Sequence, residues 1–222
     1  MDYTTLTRLK LEKSVKEVTD DTLLSILITT ASRDIDRYCT GTPGPASDNY
    51  FQTATITNEV LTGWLDSDGN LVFYLHKPAV SAVTAFSYKL SFNLNYVPLD
   101  ATALASLVEV NGGPIITVYA ALAQMSSYVS WGSYVRSVNP PSRIWATVTY
   151  SGGLGATTAD LPGDLVEACT ENAIRLYMEN KAGLADAIGS VDTGIMTYTK
   201  AMPIRIQRML EPYKRNVPWR AY

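Results

Sequence analysis

The sequence predicts an α+β protein: a helical bundle formed by both chain ends, with an inserted β-rich segment. Of the 39 charged residues, 14 lie in residues 1–50, 9 in 51–150 and 16 in 151–222, so the middle is charge-poor. That middle is rich in Val, Thr, Tyr, Ser and Gly, the residues of strands and turns. Both ends instead repeat apolar residues three and four positions apart, the period of a helix face. The expected division is therefore N-terminal helices over 1–50, a β-rich insertion over 51–150, and C-terminal helices with a basic arm over 151–222.

The elements follow in order. Thr4 or Thr5 is placed to cap a short helix carrying Leu6, Leu9 and Leu11. A stronger helix follows Thr19, with Asp20 and Asp21 in the first turn, where carboxylates complement the helix dipole. Leu24, Leu27, Ile28, Ala31, Ile35 and Tyr38 make its apolar stripe, and Gly41, Pro43 and Pro45 stop it near Cys39. Strands are expected at Phe51–Thr57, Glu59–Trp64, Leu71–Leu75, Val80–Tyr88, Ile115–Tyr119 and Arg143–Tyr150, the second and third joined as a hairpin across Asp66–Asn70. Ala101–Val108 fits a short helix, and Ser126–Pro141 reads as a long loop. A third long helix opens at Leu161-Pro162-Gly163-Asp164, with Leu165, Ala168, Cys169, Ala173, Leu176 and Tyr177 on one face. On another face, Glu167, Glu171 and Arg175 stand four apart, an orientation that favours ion pairing along the helix. Pro203 opens the last helix, with Ile206, Met209, Leu210 and Tyr213 in helical register.

Composition excludes several functions. The 222 residues carry a net charge of −3, and no window reaches the roughly 18 uncharged apolar residues of a membrane span. The first residues show neither a basic nor an apolar leader pattern, so synthesis and retention in a cytoplasm are expected. Two cysteines, Cys39 and Cys169, exclude a disulfide framework and a four-cysteine zinc site. Charged residues are 18% of the chain while tyrosines number 14. Tyr and Trp put a polar handle on an apolar body, which suits surfaces half-buried against a partner.

An enzyme finds little support. The single histidine, His76, excludes a His-pair metal site and stands alone without a nucleophile motif. Asp66–Asn70 departs from the calcium-loop pattern in the position of Gly69 and in lacking a closing glutamate; a hairpin turn accounts for it. Gly152-Gly153-Leu154-Gly155 lacks the lysine and hydroxyl of a phosphate loop. No cofactor or metal is expected. From Lys200 onward six basic residues face Glu211 alone, interleaved with Tyr213, Trp219 and Tyr222, a composition suited to a docking arm.

Thr5-Leu6-Thr7-Arg8-Leu9-Lys10, Thr19-Asp20-Asp21-Thr22-Leu23-Leu24 continuing through Ala31–Cys39, Val148–Gly153, and Leu161–Ala168 followed by Arg175-Leu176-Tyr177 together give a chain that resembles the head-tail connector (adaptor) proteins of tailed bacteriophages. The middle departs from it, since many relatives have a much shorter connection there. What the resemblance implies is a structural virion protein made in the host cytoplasm. It would form a ring, typically of twelve copies, that sits beneath the portal, receives the next neck, stopper or tail component, and lets genomic DNA pass through its lumen without sequence-specific binding. By position, Arg205, Arg208, Lys214, Arg215, Trp219, Arg220 and Tyr222 are the expected portal-docking residues. A sliding lumen should avoid dense cations, because each neutralised phosphate adds affinity. Asp164, Glu167 and Glu171 are therefore expected to line the channel. Tyr128, Trp131 and Tyr134 are candidates for the loop meeting the neck or tail partner. In a competing reading, a β-rich tail or baseplate component, the same three aromatics bind carbohydrate. A cell-wall hydrolase using Glu167 and Glu171 is the remaining alternative.

Overall fold

The computed structural model describes residues 1–13, 20–41, 49–65, 70–89, 95–110, 113–119, 144–181, 188–189, 196–197 and 202–215. They divide into two compact units, Met1–Gln52 with Gly155–Arg215, and Thr53–Leu154.

The first unit is helical. Helices α1 (Leu6–Lys13) and α2 (Asp21–Thr40) come from the start of the chain, and α4 (Gly163–Lys181) and α5 (Ile204–Leu210) from its end. Thr5 caps α1 by accepting the Arg8 amide at 3.3 Å. The expected cap of α2, Thr19, lies outside the described residues. At the other end of α2, Gly41 adopts φ 68°, where a residue with a β-carbon is strained, and returns its N–H to the Arg37 carbonyl at 2.9 Å. Of the expected stripes, Leu24, Ile28, Ala31 and Ile35 of α2 and Leu165, Ala168, Cys169, Ala173 and Tyr177 of α4 are buried, as is Cys39, while Leu27, Tyr38 and Leu176 are half-buried. The two helices run antiparallel, since Asp20 accepts the Tyr177 hydroxyl at 2.6 Å while Ser32 meets Cys169 Sγ at 3.4 Å. Leu9 of α1 is buried, but Leu11 is 76% exposed, so only one edge of that short helix packs.

Burial pushes both thiols up to about 12, with Asp36 adding to the shift at Cys39. Neither offers a thiolate near neutral pH. Alkylation of the folded chain with iodoacetamide is expected to label neither cysteine, and labelling in urea to consume two equivalents; native labelling at neutral pH would contradict this packing.

The second unit is an antiparallel sheet in the order β4-β3-β7-β1-β2-β6-β5. Its strands are β1 (Ala54–Leu65), β2 (Leu71–Tyr74), β3 (Val80–Lys89), β4 (Val97–Pro98), β5 (Val108–Val110), β6 (Ile115–Val118) and β7 (Ile144–Gly152). Helix α3 (Ala101–Leu107) is started by Asp100, whose carboxylate accepts the Ala103 amide at 2.7 Å. Strand β1 pairs with β7 from Ala54 to Gly63, then turns to β2 at Trp64 and Leu65, the hairpin expected across 66–70. Phe73, Phe86, Ile116, Val118, Val148 and Tyr150 form an apolar cluster on one face, with Leu104 and Leu107 of α3 packed against it. A two-residue pair, β8 (Ile188–Gly189) with β9 (Met196–Thr197), falls in the connection before α5.

The α+β class therefore holds, while the expected architecture is corrected. The sheet is not part of a helical bundle; it is a compact unit burying its own apolar face by alternation along its strands. Two expected strands, Phe51–Thr57 and Glu59–Trp64, are one. A bulge at Asn58, φ 52°, interrupts the alternation without ending the strand. Phe51 precedes it and packs in the helical unit against Tyr3, Tyr50 and Tyr213, with ring centroids 4.8–5.9 Å apart. His76 sits half-buried in the sheet unit. The loop expected over Ser126–Pro141 lies outside the described residues. Among the described residues no helix is long and apolar enough to cross a membrane, and no cluster of metal-ligating side chains occurs.

Candidate functional site

Three of the residues singled out from the sequence lie together on α4, and Arg205 of α5 meets two of them. Asp164, Glu167 and Glu171 stand three and four apart, one face of a helix. Helix α5 buries Ile206 and Leu210, which turns Arg205 toward that face. Its guanidinium lies 3.3 Å from Glu167 Oε1 and 2.7 Å from Glu171 Oε1. Arg205 is 71% exposed, so each ionic contact alone contributes only a few tenths to about 1 kcal/mol.

After α5 a 3-10 turn, Glu211–Tyr213, carries the chain onward. Tyr213 donates its hydroxyl to Asp164 at 2.6 Å, and burial together with that carboxylate raises its pKa. The Lys214 ammonium sits 5.0 Å from the centre of the Tyr38 ring, and the Arg215 amide donates to the Cys39 carbonyl at 2.7 Å. The C-terminal segment is thus tied to both α4 and α2. Arg208 is exposed. Trp219, Arg220 and Tyr222, and the loop aromatics Tyr128, Trp131 and Tyr134, lie outside the described residues.

No family model matches the chain, and no curated protein is similar to it. Among solved structures, a chain in the "Neck of empty GTA particle computed with C6 symmetry" is 16% identical over 94% of this chain and 87% of its own, with TM-score 0.48. A chain in the "Virion of native gene transfer agent (GTA) particle" is 16% identical over 89% and 79%, with TM-score 0.46. One in the "Neck of native GTA particle computed with C12 symmetry" is 13% identical over 96% and 93%, with TM-score 0.39. At these TM-scores the likenesses carry no functional argument for this chain.

Two features of the helical unit escaped the sequence. Arg205, grouped with the docking cations, sits on the carboxylates assigned to the channel; nothing local links residues 167 and 205. Arg175, expected to pair with Glu171, pairs with Glu179 instead at 2.9 Å. The second feature is Asp36, fully buried on α2. It accepts the Tyr3 hydroxyl, the Asn49 amide at 2.8 Å and the Tyr50 amide at 3.1 Å, with Arg33 Nη1 at 3.0 Å. Burial holds its carboxyl above the usual range, although Tyr3, Arg33 and the two amides pull the other way. A signal did exist: Ser32, Asp36 and Thr40 are polar residues four apart along the buried stripe.

Proposed function

We propose that this chain is a non-enzymatic structural protein of a phage or phage-like virion, an adaptor in the neck between capsid and tail. Twelve copies close into a ring beneath the portal, extend the DNA channel and present a platform to the next neck or tail component. One observation carries this reading. The helical segments through which the sequence resembles head-tail connectors, drawn from opposite ends of the chain, fold together as α1, α2 and α4 of one unit. A segment order shared with a family is more telling when its pieces meet in space. Low charge and abundant tyrosine fit a chain that buries much of its surface against neighbours.

In this reading Asp164, Glu167 and Glu171 face the lumen, and Arg205, held on two of them, keeps its charge from DNA phosphates. Arg208, Lys214 and Arg215 lead to Trp219, Arg220 and Tyr222, and this segment docks on the portal. Removing residues 216–222 is expected to leave the circular dichroism and melting of the chain unchanged and to reduce its capture by portal protein at least tenfold in a pull-down. Undiminished capture would remove the docking assignment.

A further inference from the structure

Three of the basic side chains assigned to docking are already engaged within the chain. Arg205 is held by two carboxylates of α4, and both contacts run through one nitrogen, Nη2, 3.3 Å from Glu167 and 2.7 Å from Glu171. The Lys214 ammonium rests on the Tyr38 ring. The Arg215 charge acts on the buried Tyr50 hydroxyl, pulling back against the burial that pushes its pKa up to about 12. Arg208 differs: on α5 it lies opposite the buried Ile206 and Leu210, and it is exposed.

The α4 side is arranged so that it needs a cation. Asp164, Glu167 and Glu171 set like charges three and four residues apart, a spacing that destabilises a helix. Arg175, four residues beyond Glu171, pairs with Glu179 at 2.9 Å. Tyr213 meets Asp164 through its hydroxyl and brings no charge. Among the described residues, Arg205 is therefore the cation that offsets Glu167 and Glu171.

The strength of this grip suits exchange. The Arg205 side chain is 71% exposed, and those of Glu167 and Glu171 are 44% and 25% exposed. An exposed pair of this kind shifts an equilibrium by about two- to fivefold. Contact through one nitrogen also lacks the two parallel bonds that make arginine–carboxylate pairs strong. Helix α5 stays in place when the pair opens, because the buried Ile206 and Leu210 anchor it. Only an exposed side chain has to change rotamer.

We infer that Glu167 and Glu171 are an autoinhibitory clasp on the docking surface. They occupy Arg205 in the free chain and yield it to a partner protein that fixes carboxylates at the same point. This rests on the docking reading above and adds its regulation, the acidic partner surface being the portal's. A partner has to outcompete the chain's own carboxylates, so scattered anions gain nothing while a preorganised cluster does. A nucleic acid brings a continuous run of phosphates past Asp164, Glu167 and Glu171, whereas a folded surface can set a carboxylate at Arg205 alone. Release leaves Glu167 and Glu171 as unpaired anions on the channel face. Docking and the repulsion of DNA from the lumen then rise together.

The test is capture of the full chain by portal protein of the parent particle. E167Q/E171Q keeps the size of both side chains and removes their charge, and its capture is expected to rise about two- to fivefold above that of the unaltered chain. R205Q is expected to lower capture, and E167Q/E171Q/R205Q to match R205Q alone, because the carboxylates act through Arg205. E171Q, which keeps Glu167, is expected to show a smaller gain and replaces the double variant if that one melts abnormally. A gain that persists without Arg205 would mean that lost negative charge alone attracts the partner, and would overturn the clasp. Equal capture of E171Q, E167Q/E171Q and the unaltered chain would overturn it while leaving the docking reading in place. Greater retention on duplex DNA with no greater portal capture would make the pair a guard against nucleic acid and overturn it too. Capture of neither the unaltered chain nor the carboxylate variants would remove the docking reading itself, and the clasp with it.

Discussion

Asp36→Ala is expected to lower the stability of the helical unit by about 3–5 kcal/mol, the cost of removing one partner from a buried charged network. The carboxylate holds four groups from three parts of the chain: Tyr3 before α1, Arg33 on α2, and the Asn49 and Tyr50 amides in the turn leading to the sheet. Alanine leaves the Tyr3 hydroxyl and two amide donors without that acceptor, and each stranded donor costs roughly 1–3 kcal/mol. Tyr3→Phe should cost less, about 1–2 kcal/mol, because it removes one hydroxyl that bonds Asp36 and accepts the Phe51 amide. The two changes share a network, so the double variant should lose less than the sum of the singles. Urea titration followed by tryptophan-independent circular dichroism at 222 nm measures all three; additive losses would show that the contact does not exist in solution.

Gly63→Val is expected to disrupt the sheet unit by about 3 kcal/mol or more, the upper range for forcing extra volume into a packed core. Gly63 faces inward on β1, and a β-carbon there would lie 2.4 Å from Phe73 Cε1 and 2.7 Å from the Val72 carbonyl. The Phe73 ring cannot swing away freely, because it packs edge-on against Phe86 at 5.4 Å. Gly63→Ala should already be costly, and adding Phe73→Leu should recover only part of the loss, since the Val72 carbonyl stays in place. Protection of β1 and β7 amides from hydrogen exchange reports the outcome; wild-type protection in Gly63→Val would refute the close approach of β1 to β2.

These two residues show what the sequence made legible and what it withheld. The stripes of α2 and α4 were readable because their period is local, and the hairpin across residues 66–70 because its turn chemistry is local. Asp36 was visible only as a polar residue on an apolar stripe; its four partners come from distant positions that no spacing links. The bulge at Asn58 hid the continuity of β1, because one extra residue breaks alternation just as a strand end does. It also placed Glu59 on the inner face, opposite Val148, which alternation from Ala54 and Ile56 would not assign. For the candidate site, the acidic stripe and basic segment were each legible by composition. Their meeting through Arg205 and Tyr213 depends on how α5 packs, which is a tertiary fact.

The most direct measurement is made on the parent particle with this chain deleted. DNA-filled capsids and complete but unattached tails are expected, restored to joined particles when the purified chain is added back. Particles that join their tails and deliver DNA normally without it would contradict a role in the neck.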